Sequence, residues 1–305
     1  MRVALSGARG FIGSALQRRW QGTDVELQAL PGLDLAEPFD LRPALQGAEV
    51  LVHAAARAHV LRERCADPLA RFRAVNVQGS VRLVEQAAAV GVRRVVLLSS
   101  IGVLGQATTG RAPFGEHDRA DPREPYAVSK WEAEQALTAL AGQRGIQLVI
   151  VRPPLVCGPG APGNLLRLLR LVDRGWPLPL ASLRRRRSFL ALENLCDLLQ
   201  LCLSHPQAPG PPLLAADATS LTLPELLRAL ASGLQRPLRL LPLPPVLLGA
   251  AAAMAGYGLA WRRLSDALEV DASATERRLG WRPRCSTSAA LEAMGRAYRG
   301  RELLP

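Results

Sequence analysis

The 305 residues hold 38 arginines and lysines against 26 acidic residues, a net charge of +12, with 49% hydrophobic and only 4% aromatic side chains. This globular composition excludes a disordered chain. Arginines scattered along a chain poor in aromatics argue against a nucleic-acid binder and leave a polyanionic small substrate as a partner that suits the charge. In chain order, Arg2–Ser6 reads as a short apolar strand ending at Gly7, with Met1 leading straight into it and no signal peptide. Phe11–Trp20 reads as a helix, residues 25–30 as a second strand and residues 49–54 as another. Residues 74–90 form a strong helical pattern, 94–99 a buried strand, 126–140 a helix, and Gln147–Arg152 a strand. Strands alternating with helices predict an α/β fold with a parallel, doubly wound sheet. Between residues 30 and 49 there is no room for a full helix, so that crossover is trimmed.

After Arg152 proline and glycine become dense and the segments short, which predicts a smaller substrate-binding lobe interleaved with the last strands of the sheet. The most membrane-like stretch, residues 246–261, is short and rich in alanine and glycine. It reads as a buried or lid helix, and no membrane span is expected. Five cysteines, Cys65, Cys157, Cys196, Cys202 and Cys285, are widely spaced without a CxxC pair. That points to a reducing, cytoplasmic setting and away from disulfides or zinc.

Lys130 is the single lysine of the chain, four residues after Tyr126. Where arginine serves every other positive charge, the exception points to chemistry that needs a compact ammonium. On a helix the two side chains share a face, one turn apart. There the ammonium can lower the phenol pKa and grip vicinal hydroxyls. Ser100 ends the central strand at the carboxyl edge, where open α/β sheets place their ligands. Tyr126 is then the general acid, Ser100 the polariser of a carbonyl oxygen and Lys130 the partner of the phenol.

Gly7, Arg9, Gly10, Phe11, Ile12 and Gly13 lie between the first strand and the first helix, where a pyrophosphate meets helix N-terminal amides. The spacing is GxxGxxG rather than GxGxxG. The acid that holds an adenosine ribose at the end of the second strand is replaced by Leu30-Pro31-Gly32, and Asp34 and Leu35 are placed by the adenine instead. Arg9 is either the partner of a ribose phosphate or a solvated arginine. NADP and NAD both stay open, with Arg9 tilting the choice to NADPH. His53, in an apolar strand before three alanines, reads as a structural histidine. His59, His117 and His205 show no metal-ligand spacing, and no metal is expected.

Taken together these features resemble the extended short-chain dehydrogenase/reductase family, the NAD-dependent epimerase/dehydratase group. The motifs that carry the resemblance are the glycine loop, His53-Ala54-Ala55-Ala56, Asn76-Val77-Gln78-Gly79-Ser80, Ser99-Ser100, Tyr126 to Lys130, Arg152-Pro153-Pro154, Gly158-Pro159-Gly160 and Leu279-Gly280-Trp281-Arg282-Pro283. They stand in family order over nearly the whole chain. The resemblance implies a dinucleotide-binding Rossmann domain at residues 1–153 and a nucleotide-sugar-binding lobe at 154–305. It adds Ala54, Ala55, Ala56, Asn76, Lys130 and Pro153 to the cofactor set. It places Asn164, Arg187 and, more weakly, Arg263 on the substrate beside Ser100, with the two arginines suited to a diphosphate.

Departures narrow the reaction. Sugar 4,6-dehydratases of this kind carry Thr-Asp-Glu where this chain has Ser100-Ile101-Gly102, so the acid and base for eliminating water are missing. The segments 53–62, 99–103 and 177–189 resemble the branch of UDP-N-acetylquinovosamine dehydrogenases. The resemblance therefore implies an enzyme, a cytoplasmic NAD(P)H-dependent 4-ketoreductase of a UDP-linked 4-keto-6-deoxy-N-acetylhexosamine in bacterial O-antigen synthesis. Hydride passes to the keto carbon while Tyr126 protonates its oxygen. A UDP-hexose 4-epimerase with tightly held NAD is the alternative, and a non-catalytic dinucleotide-binding sensor or scaffold is a third. A UDP-sugar is the expected partner, with a homodimer left as an option.

Overall fold

Short runs of valine and leucine, covered on both faces, build the centre of the molecule. The computed structural model describes residues 1–58 and 67–302, so the readings of His59 and Cys65 lie outside the described residues. β1 (Arg2–Ser6) leads through α1 (Phe11–Trp20) to β2 (Glu26–Ala29). A single helical turn, α2 (Arg42–Leu45), then leads to β3 (Val50–His53). α3 (Pro68–Arg73) continues through a π-helical stretch, Ala74–Gly79, into α4 (Ser80–Ala89). β4 (Arg94–Leu98), α5 (Pro125–Arg144) and β5 (Gln147–Arg152) complete the first part.

The later elements are β6 (Leu155–Cys157), α6 (Asn164–Asp173), β7 (Arg186–Arg187), β8 (Phe189–Ala191), α7 (Leu192–Cys202), β9 (Leu213–Leu214) and β10 (Leu221–Thr222). They are followed by α8 (Leu223–Leu234), α9 (Pro245–Met254), α10 (Gly258–Ser265), α11 (Ser273–Leu279) and α12 (Thr287–Glu302).

The main sheet is parallel, in the order β2-β1-β3-β4-β5-β9. This is the doubly wound, Rossmann-type α/β sheet that the alternating pattern predicts. Its period of two sorts the strands cleanly. Val3, Leu5, Val50, Val52, Val96 and Leu98 face a core shared with α1 and α7. Ala4, Leu51, Val95 and Leu97 face a second core with α4 and α5. The short crossover has its consequence here. With only α2 between β2 and β3, the sheet ends at β2 and β3 pairs on the other side of β1. The chain reverses its winding at that point, and ligands of open sheets lie at such a switch.

After β5 the chain leaves the sheet and returns to it. α7 packs with α1 against the first core, and β9 pairs with β5. α6, α8 and α12 enclose a separate core around Leu165, Leu227 and Leu291. A buried polar joint ties the parts together. The Asp217 carboxylate accepts from the Ala191 amide at 2.9 Å, from Asn194 Nδ2 at 2.7 Å and from Thr287 Oγ1 at 2.6 Å. Burial raises the pKa of Asp217, and these donors oppose the rise.

Two expectations change. The helix read from residue 74 starts at Pro68, where Asp67 caps it by accepting from the Ala70 amide. The π-helical stretch breaks the 3.6-residue period and hides that first turn from a pattern search. Residues 246–261 hold α9 and the start of α10, and no residue of α9 is buried, which corrects the reading as a buried helix. Among the described residues no helix is long and apolar enough to cross a membrane.

Candidate active site

The site begins at the turn between β1 and α1. Gly7 takes φ +73°, and a Cβ on it would lie 2.6 Å from the Ala55 amide nitrogen. A Cβ on Gly13 would collide with the Gly7 carbonyl oxygen. The loop therefore lies close against Ala54 and Ala55, whose own side chains are single methyl groups. Gly10 opens α1 with no side-chain cap, and the first turn holds no acid. Bare backbone ending on uncapped helix amides fits a pyrophosphate. Phe11 and Ile12 anchor this turn by packing on the core.

At the end of β2, Leu30 is buried and the exposed Pro31 and Gly32 carry no carboxylate. Arg9 lies across them, its guanidinium donating to the Gly32 carbonyl at 3.2 Å. Asp34 pairs with Arg71 at 3.3 Å, and the carbonyl of buried Leu35 accepts from Arg82 at 2.6 Å. The Asp34-Leu35 loop is thus fastened to α3 and α4.

The helix α5 presents the Tyr/Lys pair. Tyr126 stands in its first turn, half-buried, with its ring edge-on to Phe72 at a centroid distance of 6.0 Å. Burial pushes the phenol up to about 12, so it keeps its proton at neutral pH. One turn later Lys130 is buried, and its Nζ donates to the carbonyl of Leu98, the last residue of β4, at 2.7 Å. Burial pulls the ammonium down to about 8, and Glu134 opposes the fall. In this arrangement burial raises the phenol of Tyr126, while the Lys130 ammonium leans to the strand end. Ser100 follows β4 and caps the short helical turn Ile101–Val103, its Oγ accepting from the Gly102 amide at 3.1 Å. The hydroxyl proton is left for a further acceptor. Pro153 is buried, and its carbonyl accepts from the Ile101 amide at 3.0 Å, which ties this turn to β5.

Behind the pair lies a charged cluster that the sequence reading passed over. Glu134 is buried one turn after Lys130 and accepts from Arg152 twice, from Nε at 3.0 Å and from a terminal nitrogen at 2.5 Å. Ser99 Oγ donates to the same carboxylate. The Arg152 guanidinium also lies over the Trp131 ring, 5.8 Å from its centroid. The signal was available: Ala127, Lys130, Glu134, Leu137 and Ala141 recur at helical spacing on the buried stripe of α5.

A second buried chain joins the glycine turn to α5. His53 Nδ1 lies 2.6 Å from Ser6 Oγ, and its Nε2 lies 2.8 Å from Ser80 Oγ. The Ser80 hydroxyl donates to the Asn76 carbonyl at 2.7 Å, so it accepts from His53, which carries its proton on Nε2. His53 is structural, as the sequence suggests. Asn76 was expected on the cofactor. Its buried carboxamide accepts from the Arg57 amide at 2.8 Å and donates to Ser129 Oγ at 3.0 Å and to the Arg57 carbonyl at 3.2 Å. Asn76 thereby ties the segment after β3 to α5.

Burial, seconded by the Lys130 charge, pulls His53 down to about 3 from an ordinary 6.5. The unfolded chain then binds the extra proton between those two values. Stability is fully present above pH 6.5 and should fall as pH drops toward 3, by about 1.4 kcal/mol per unit from this group. Denaturant melts across that range should show the slope, and His53→Asn should remove its share. An unchanged slope in the variant would place the acid sensitivity elsewhere.

The three substrate candidates lie on separate elements, α6, β7 and α10. Asn164 is exposed at the first position of α6. Arg187, in β7, is half-buried and donates to the Asp266 carbonyl at 2.8 Å. Burial lowers its pKa and Asp266 opposes this. Arg263, on α10, is engaged with Glu124 at 2.7 Å, two residues before Tyr126. Among the described residues no group of three metal-ligating side chains occurs. Cys157, Cys196 and Cys202 are buried free thiols whose pKa values burial raises.

Residues 3–213 match the family described as the NAD dependent epimerase/dehydratase family. The chain belongs to that family. A UDP-glucose 4-epimerase from Vibrio cholerae is 36% identical over 298 residues, which cover 92% of this chain and 90% of the relative. A GDP-6-deoxy-D-mannose reductase from Pseudomonas aeruginosa is 29% identical, over 68% of this chain and 72% of the relative. The solved structure of RMD from Pseudomonas aeruginosa complexed with NADPH superposes with a TM-score of 0.79, at 22% identity, over 98% of this chain and 100% of that one. The chain is thus an NAD(P)-dependent enzyme that acts on CH–OH groups. The glycine turn and the open start of α1 fit the dinucleotide.

Proposed function

We propose that the protein is a cytoplasmic NAD(P)H-dependent 4-ketoreductase of a UDP-linked 4-keto-6-deoxy-N-acetylhexosamine, forming a UDP-linked N-acetylquinovosamine or N-acetylfucosamine. The observation that carries this reading is Arg9, exposed over Gly32 at the end of β2, where no acid stands. A guanidinium there suits a phosphorylated ribose, and a phosphorylated coenzyme suits net reduction. When bound, the nicotinamide supplies the hydride. Tyr126 holds the proton that the new alkoxide needs, and Ser100 donates a hydrogen bond to the same oxygen. Lys130 keeps positive charge beside the strand end. The turn after Ser100 offers Ile101 and Gly102 in place of acids, which speaks against elimination of water.

A second reading has support of its own. The relative from Vibrio cholerae is named for 4-epimerisation, and an epimerase starts from the same exchange of hydride at the same carbon. Incubation with UDP-4-keto-6-deoxy-GlcNAc separates the two. The reductase should consume NADPH or NADH one for one with product, read by nicotinamide absorbance beside chromatography of the sugar nucleotides. Interconversion of UDP-GlcNAc and UDP-GalNAc without net coenzyme oxidation would establish the epimerase instead.

Asn164, Arg187 and Arg263 form the substrate side in this reading, with Arg187 on the diphosphate. A hydrogen bond to a charged group is worth about 1.5–3 kcal/mol, so Arg187→Ala should weaken UDP binding roughly ten- to hundredfold. NADPH affinity should stay unchanged. Titration of both ligands checks this, and equal UDP affinity in the two proteins removes Arg187 from the site.

A further inference from the structure

Two stretches of this chain hold arginine and no carboxylate. Residues 174–192 carry five arginines without an acid, and residues 226–265 carry another five without an acid. The fold zips the stretches together. Leu178 bridges Leu240, the Leu178 amide donates to the Arg239 carbonyl at 2.9 Å, and the Leu241 amide donates back to Leu178 at 2.8 Å. Some of the arginines are paired with acids from elsewhere, such as Arg236 with Asp173 and Arg185 with Asp266. Arg184, Arg239 and Arg262 are exposed and pair with no carboxylate among the described residues.

Between these charges the surface is apolar. Trp176 is 63% exposed, and the paired strand leads through Leu241 into α9, where Val246 is 81% and Met254 85% exposed. Tyr257, after α9, is 62% exposed. α10 covers one flank of α9, so closely that a Cβ on Gly249 would lie 2.9 Å from Trp261 Nε1. The rest of the helix faces outward. A ten-residue helix is half the length that a bilayer span needs.

We propose that this ridge docks on an anionic phospholipid bilayer, with α9 lying in the boundary between headgroups and acyl chains and the unpaired arginines on the headgroups. An exposed apolar helix followed by an exposed tyrosine, joined to segments rich in arginine, matches that boundary. A second copy matches it poorly. A two-fold contact sets each patch against itself, and Arg184, Arg239 and Arg262, which pair with no carboxylate among the described residues, would then add like charge to like. Arg263 joins α10 to Glu124, two residues before Tyr126, so the docked face stands beside the catalytic helix.

Flotation of the full chain with vesicles tests the proposal. The protein should rise with vesicles of phosphatidylcholine and phosphatidylglycerol, stay behind with phosphatidylcholine alone, and release as salt increases. Val246→Asp combined with Leu247→Asp should lower the bound fraction about tenfold or more. Arg239→Gln should weaken binding about fivefold. Neither change touches a buried group, so the melting temperature should hold. Equal behaviour with both vesicle types, or binding that ignores both variants, overturns the proposal. A dimer in light scattering that Val246→Asp dissociates overturns it as well, and assigns the ridge to a second copy.

Discussion

Tyr126→Phe should lower turnover by about 10²–10⁴-fold while leaving coenzyme affinity close to wild type, the usual scale for loss of one general acid. The reason lies in what the phenol does and does not touch. Its ring packs edge-on against Phe72, and phenylalanine keeps that contact. Its backbone carbonyl accepts from Ser129 Oγ at 2.8 Å, which the substitution also keeps. Only the hydroxyl is lost, and burial holds that hydroxyl protonated, up to about 12. A group with so high a pKa gives its proton only to a stronger base, and the alkoxide formed when a ketone is reduced is such a base. Steady-state turnover and coenzyme titration check the split. Near-normal turnover in the variant would take Tyr126 out of the mechanism and pass the proton to Ser100 or water.

The sheet was legible because its signals are local. Arg2–Ser6, Phe11–Trp20 and Gln147–Arg152 have the bounds that apolar runs and glycine punctuation predict. Even the missing helix after β2 followed from a count of residues. What escaped was of two kinds. The π-helical stretch at Ala74–Gly79 changes the period within one continuous helix, so a search at 3.6 residues starts late. The cluster of Ser99, Glu134 and Arg152 escaped for another reason. A carboxylate in a helix rich in charges reads as a solvated face, and its partner is a strand residue 18 positions away. Nothing local distinguishes a buried ion pair from two surface charges. Asn76 shows the opposite limit: its motif marks the position, but the engagement of its carboxamide by Arg57 and Ser129 is set by three separate elements. The exposure of α9 was hidden similarly, since an apolar run looks the same whether a partner covers it or not.

Lys130→Arg keeps the charge and should still cost roughly 10²–10³ in turnover, the loss expected when a preorganised donor in a dry site is displaced. Lys130 is 4% exposed and its ammonium reaches the Leu98 carbonyl at 2.7 Å, with two further donors free to point to hydroxyls. A guanidinium is wider, planar and longer in reach. Forced into a packed helix–strand junction, it costs about 1–3 kcal/mol in repacking. Its geometry also favours the wrong partner. Glu134, one turn on, is held by Arg152 at 2.5 and 3.0 Å, and a second fork beside it would compete for the same two oxygens. The positive charge would then move back from the strand end toward the carboxylate, and Arg152 would lose part of its partner in a buried place. The variant should therefore show lowered turnover, weaker coenzyme binding and a lower melting temperature together. Lys130→Met, which fills the stem without the charge, should spare the melting temperature more than arginine does and lose turnover at least as severely. If Lys130→Arg instead turned over like the wild type, charge alone would suffice at this position, and the single lysine of an arginine-rich chain would be an accident of composition.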